Sequence, residues 1–272
     1  YGRDFLERYL IPMSSAVWST PPEKMLEFPA TTLLRFWYNH GFLGLHTQHP
    51  WRTVTGGSRE YVRRLVEPFR DRVHISTPVL SVRRTPNSVE ITTKIRGVET
   101  FDHVILAAHP PQSLKLLEQP TALEESVLSP FQYQPNEVTV HSDSRVMPDL
   151  KSCWASWNYR TEADGNREMP TTHYWMNSLQ GVSENRDYFV SLNNRDRIPD
   201  QIVLRELEYE HPLFDREAIR AQARIPELNL AGLDTRTSFC GAWTRYGFHE
   251  DGLLSAVRLS ELLLEGDPWE NR

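Results

Sequence analysis

Glycine is scarce in this chain, 13 of 272 residues, about 5% against a usual ~7%. No phosphate-binding glycine loop and no G-x-G-x-x-G turn occurs anywhere in it, so these residues lack the usual cradle for a dinucleotide diphosphate. Cysteine is rarer still. Cys153 and Cys240 are too few and too far apart for a disulfide framework or a zinc set, which suits a reducing, cytoplasmic setting. No apolar run approaches the ~20 residues of a membrane-spanning helix, and the first residues lack the basic-then-apolar pattern of a secretion signal. Positive charge is not in excess: 30 Lys and Arg stand against 36 Asp and Glu, a net charge of -6 that argues against a nucleic-acid surface. What remains is a globular composition, 39% hydrophobic and 11% aromatic with a mean hydropathy of -0.53. That is enough for one large domain or two modest ones. Prolines number 19, and the chain begins at Tyr1 rather than Met, which reads as the later part of something longer.

The opening is helical in pattern. Phe5, Tyr9 and Leu10 recur at helical spacing before Pro12, which is expected to stop the segment. Thr20 ahead of Pro21, Pro22 and Glu23 predicts a capped helix start, and Leu33 to Tyr38 form a dense apolar helix that Gly41 can end. Ser58 is placed to cap an amphipathic helix carrying Val62, Leu65 and Val66. Short β-type runs follow at Val73–Ile75, Val79–Val82 and Val89–Thr93, with Pro86-Asn87 as a turn. The continuous apolar run Val104–Ala108 predicts a strand buried on both faces, and Leu114 to Leu117 a short helix beyond it. Strand candidates then come in series at Val138–Val140, Cys153–Trp157, Thr172–Met176, Tyr188–Leu192 and Val203–Tyr209, with Ala163 to Asn166 as one intervening loop. Such a series predicts one antiparallel or mixed sheet with the opening helices packed against it. A helix near Arg216–Ala223, a strand at Ser238–Cys240 and a helix over Gly252–Leu264 complete the chain.

The lone reactive residues read mostly as structural. His40, His46 and His49 lack a carboxylate at metal-site spacing, and Pro50 breaks any helix there, so no metal site is expected. Cys153, set among Trp154 and Trp157, reads as a small core residue. Cys240 ends a strand where a nucleophile could stand, yet no base converges on it in sequence. His249 beside Glu250 and Asp251 leaves open a cofactor-independent acid–base enzyme. More specific is the closing pattern. Phe239-Cys240-Gly241-Ala242-Trp243 leads through a short loop to Gly247-Phe248-His249-Glu250-Asp251-Gly252, which opens a helix. A strand end beside a helix N-terminus gathers free N–H donors and the positive end of the helix dipole, a setting for an electron-rich group.

These closing residues resemble the carboxy-terminal flavin-binding element of the flavin-containing amine oxidase superfamily. Three earlier segments resemble that superfamily in the same order. They are Trp51 to Ser58 with the Gly56-Gly57 pair, Thr77 to Val82, and Phe101 to Pro111 with its apolar strand. Asn39-His40-Gly41, Trp157-Asn158-Tyr159 and the Gly247 to Gly252 run are most similar to a bacterial branch described as predicted NAD/FAD-binding proteins, which in turn resembles the amino-terminal part of plant cyclopropane fatty acid synthases. The resemblance implies FAD as cofactor, with Gly57, Val79, Ala107, Gly241, Glu250, Asp251 and Gly252 beside it. It also implies a substrate face at Asn39, His40, Trp157 and Phe248. Where many superfamily members carry a glutamate, this chain has Ala242, and no lysine stands in Val138 to Asp143.

The implied architecture is α/β of the mixed α+β kind, a substrate-domain sheet with helices plus the carboxy-terminal part of an FAD-binding domain. Residues 1–50 and 121–225 would form the first, 51–120 and 226–272 the second. The expected activity is an FAD-dependent oxidoreduction of a small-molecule substrate, with no catalytic residue singled out, no nucleic-acid partner and no membrane span; a homo-oligomer is compatible. Without its diphosphate-binding turn, the 272-residue chain is not expected to retain FAD. The rival readings are an accessory domain for lipid-modifying enzymes of the cyclopropane fatty acid synthase kind and the cofactor-independent enzyme at His249.

Overall fold

A computed structural model describes residues 2–160 and 171–270. The segment Ala163 to Asn166, expected as a loop, lies outside them. Helix α1, Arg3–Phe5, runs without a break through a π-helical turn at Leu6–Leu10 into α2, Ile11–Trp18. Pro12 therefore does not stop the helix. Its missing N–H and its clash with the preceding turn are absorbed where the ladder widens to i→i+5 just before it. Helix α3, Pro22–Met25, starts on Pro21 rather than on a Thr20 cap, since the Thr20 hydroxyl donates back to the Trp18 carbonyl. Helix α4, Ala30–Asn39, ends as expected before Gly41. Helix α5, Arg59–Val66, forms where the amphipathic pattern predicts, but Ser58 makes no side-chain cap and Val62 and Leu65 stay exposed.

The run Val73–Ile75 forms no strand. Val79 instead opens β1, Val79–Arg84, the first strand of an antiparallel meander with β2, Val89–Thr93, and β3, Gly97–Phe101. Strand β4, Val104–Leu106, is only three residues long. Val104 and Leu106 are buried while Ile105 is half exposed, so it is not covered on both faces within these residues. Helices α6, Pro110–Leu116, and α7, Ala122–Leu128, follow. Helix α7 opens on a capping box in which Glu124 accepts from Thr121 N–H and also receives the Arg84 guanidinium at 2.6 Å.

Strand β5, Gln132–His141, is longer than its apolar stretch suggested. Cys153 closes a 3₁₀ turn and is exposed, neither strand nor core, because the strand β6 begins only at Trp157 and spans Trp157–Arg160. Strand β7, Thr171–Trp175, runs into helix α8, Met176–Gln180; β8, Phe189–Leu192, and β9, Val203–Leu213, follow. The chain then forms α9, Arg216–Gln222, and α10, Ile225–Thr235. Strand β10, Thr237–Phe239, and helix α11, His249–Leu264, close it.

Two compact units result, residues 1–73 with 133–211 and residues 74–132 with 212–272. In the first, the expected single sheet forms in the order β6-β7-β8-β5-β9, with Val138–Val140 paired antiparallel to Val190–Leu192. Helix α2 packs beside β6, and the Trp18 ring meets Phe28 and Phe36 in tilted contacts at 4.7 and 4.9 Å. Val146, Met147, Phe189 and Ile198 form a core under Trp154 and Trp175. In the second unit the meander is joined to the rest by a bridge from Val82 to Leu117, and β4 pairs in parallel with β10. The architecture is the mixed α/β one expected from the sequence.

Candidate active site at the ends of two parallel strands

The register Thr237–Val104, Ser238–Ile105, Phe239–Leu106 brings Ala107 and Gly241 to the same end of the parallel pair, the carboxyl end where open α/β sheets bind ligands. His103 adds a cross-strand bond from Nε2 to the Ser238 hydroxyl at 2.9 Å. The far side of β10 is closed by a side chain. Asn229 of α10 donates to the Phe239 carbonyl at 2.9 Å and accepts the Phe239 N–H at 2.8 Å, imitating a neighbouring strand. The helix comes this close because Gly232 has no Cβ; one built there would meet the Thr237 carbonyl at 2.4 Å.

Beyond β10 the chain turns sharply. Gly241 has φ +143°, a conformation that only glycine adopts without strain, and a Cβ there would strike the Trp243 indole at 2.7 Å. Its N–H donates to Ser255 Oγ at 2.8 Å, and Ser255 donates in turn to the Gly252 carbonyl at 2.7 Å. The strand end is thereby tied to the second turn of α11. Thr244 and Gly247 close the connecting loop by bonds to the Gly241 and Ala242 carbonyls, and Gln222 holds the Trp243 and Arg245 carbonyls at 2.8 and 2.6 Å.

Asp251 is buried, and its Oδ2 accepts the Phe248 N–H at 3.0 Å and the Tyr246 N–H at 3.3 Å. Its Oδ1 faces Arg245 at 3.8 Å. The carboxylate fixes the loop onto the first turn of α11 and faces the positive end of that helix. Glu250 and His249 are exposed on the first turn. Cys240 is buried, and burial raises its thiol above its usual range. Among the described residues no group of His, Cys, Asp and Glu could hold a metal ion.

The remaining sequence-derived positions are dispersed. Val79 begins β1 in the meander, a different sheet from Ala107 and Gly241. Gly57 lies in the first unit just ahead of α5, with φ +86°. Asn39 and His40 end α4; the His40 ring lies 4.0 Å from the Phe36 ring and its Nδ1 meets the Phe36 carbonyl at 2.8 Å. Trp157 opens β6 and stacks on Tyr174. Phe248 is part exposed ahead of α11, while Gly252 lies within it, its open face toward Ala242. Sequence reasoning missed Asn229 and Gln222. Each is one amide in a helix, and nothing local marks it as holding a distant carbonyl.

The second unit thus has a short parallel pair whose strand ends meet a helix start, beside an antiparallel meander, and the first unit has a separate five-stranded sheet. The family model for flavin containing amine oxidoreductases matches residues 2–189, and the chain belongs to that family. Its fold is similar to solved structures at low identity. Cyclohexylamine oxidase from Brevibacterium oxydans IH-35A aligns at a TM-score of 0.59 and 11% identity over 94% of this chain and 64% of that one. UDP-galactopyranose mutase aligns at 0.61 and 12% over 98% and 66%. A putrescine oxidase variant aligns at 0.53 and 13% over 78% and 53%. The chain thus spans about half to two thirds of the length of these structures. No curated protein matches it.

Proposed function

We propose that this chain is part of an FAD-dependent oxidoreductase, with its second unit holding the flavin and its first unit serving the substrate. The observation that carries the reading is the meeting of Ala107, Gly241 and the start of α11 at one end of the β4–β10 pair. The residues present fit a flavin there. The first N–H groups of α11 have no intrahelical acceptors, and the buried Asp251 carboxylate is turned onto its own loop. Gly241, Gly252 and Ala107 add no bulk at the strand ends, and Glu250 and Asp251 complete the helix start. The buried Trp243 indole N–H has no acceptor among the described residues, a further donor beside Gly241. A bound flavin would supply hydride acceptance; the chain's own groups bind it, orient it and exclude water. Val79 is assigned to the cofactor and Asn39, His40 and Trp157 to the substrate; Gly57 for the cofactor and Phe248 for the substrate rest on the resemblance alone and fall outside this division. The family's amine chemistry is not assigned to this chain, since Ala242 and the lysine-free β5 end depart from the superfamily pattern.

Two experiments test the reading. Protein expressed from its complete reading frame should show the visible spectrum of bound flavin, bleached on anaerobic reduction; a colourless protein would end the proposal. The 272-residue chain alone should not retain FAD, because no glycine turn holds the diphosphate and several charge-assisted hydrogen bonds, each about 1.5–3 kcal/mol, are lost with it. Saturable micromolar binding in a fluorescence titration would show that turn to be dispensable.

A further inference from the structure

The second unit contains a cavity of about 390 Å³ between the start of α10 and the face of α11 that carries Asp251, Ser255 and Leu259. Its walls are apolar: Ile225 and Pro226 on one side, Leu254, Leu259 and Leu262 on the other. Its polar floor is already committed. Asn229 is bonded to Phe239 on both amide atoms, Ser255 links Gly241 to Gly252, and the Gln222 amide nitrogen serves two carbonyls. Asp251 accepts two backbone N–H groups. The donors with capacity left are guanidinium groups. Arg245 stands 3.8 Å from Asp251, beyond hydrogen-bond reach, and Arg258 makes no ion pair or hydrogen bond among the described residues. With one carboxylate against two arginines, the cavity carries a surplus positive charge.

We propose that this cavity binds a small amphipathic carboxylate, an alkyl or aryl acid whose carboxyl group meets Arg258 and whose apolar body lies along Leu254, Leu259 and Leu262. Volume and lining suit such a ligand, since small-molecule sites of this size are apolar with a few placed polar groups. Arginine matches a carboxylate in two parallel hydrogen bonds, and a neutral head would leave those donors unmet. The site borders the Gly241 turn through Asp251 and Ser255, but its ligand group is Arg258 and its test needs no bound flavin.

Octanoate is the probe. Isothermal titration of the purified protein with octanoate should give saturable one-site binding, and 1-octanol should bind at least tenfold more weakly. Arg258→Gln should weaken octanoate roughly tenfold or more while leaving octanol unchanged, the size expected for one charge-assisted contact. Leu262→Trp, which fills the cavity without touching the charge, should abolish both. Equal binding of acid and alcohol, an Arg258→Gln variant with unaltered affinity, or no saturable binding would each overturn the assignment. Circular dichroism of the variants separates lost binding from lost fold.

Discussion

The β4–β10 pair and the five-stranded sheet bury their polar side chains to different ends. At the parallel pair, Asn229, Ser255 and Asp251 each bond backbone N–H groups and shape a turn. In the five-stranded sheet His141, Ser191 and His173 are buried and bond one another through their side chains. Thr139, Ser191 and His173 stand in one row across β5, β8 and β7, and His141 is two residues along from Thr139 on the same face. The Asp143 N–H is 3.0 Å from His141 Nδ1, which makes that nitrogen an acceptor and leaves the proton on Nε2. His141 Nε2 then donates to Ser191 Oγ at 2.7 Å, and Ser191 donates to His173 Nδ1 at 2.7 Å. The chain of bonds has one direction and needs both rings neutral. The Asn229 and Ser255 bonds contain no titrating group, whereas the sheet's network runs through the His141 imidazole.

Asn229 gives the largest expected effect at the parallel pair. Asn229→Leu leaves the buried Phe239 N–H and carbonyl both without partners, at about 1–3 kcal/mol each, so a loss of about 4 kcal/mol is expected. Hydrogen exchange at the Phe239 amide should accelerate, with Ser191 in the other unit unaffected. A loss below about 1 kcal/mol would mean that water replaces the amide and that the clamp does not define the edge.

The sheet answers to acid instead. Burial pulls His141 down to about 4, partly opposed by Asp143, from a usual value near 6.5. Between those values the unfolded chain binds the extra proton, so stability falls as pH drops from about 6.5 to about 4 and then stops changing on this account. The loss over that window is about 3 kcal/mol. Asp143 acts lower: its bonds to Arg145 hold it below the ordinary carboxylate range, and its contribution disappears only as pH falls through that depressed value. Urea midpoints measured from pH 7 to 4 should decline for the native protein and decline much less for His141→Gln. Identical slopes would remove His141 as the cause.

The comparison also explains what could be read from the sequence. The strands β5, β7 and β8 were legible because alternating and β-branched residues mark them, and α11 because Leu254, Val257 and Leu262 repeat at helical spacing. The strand end at Gly241 was legible through its glycine and its motif. The Asn229 clamp was not, since it links residues ten apart through a side chain, and neither was the histidine network, which depends on three strands coming into register. Pro12 misled because a proline stops a helix only where the ladder cannot widen, and Cys153 because neighbouring tryptophans do not bury a turn.

Ser255 offers the smallest and most local test. Its hydroxyl accepts the Gly241 N–H and donates to the Gly252 carbonyl, a carbonyl that the helix ladder can also use. Ser255→Ala therefore orphans one donor rather than a donor and an acceptor, and alanine slightly favours the helix. The expected cost is about 1 kcal/mol, well below that of Asn229→Leu and independent of pH between 7 and 4. If Gly241 serves a flavin, the same variant should weaken cofactor retention in the complete protein by more than its effect on stability. The loosened turn no longer fixes the strand end against α11. Stability and retention falling in equal measure would mean that Ser255 supports the fold and nothing more.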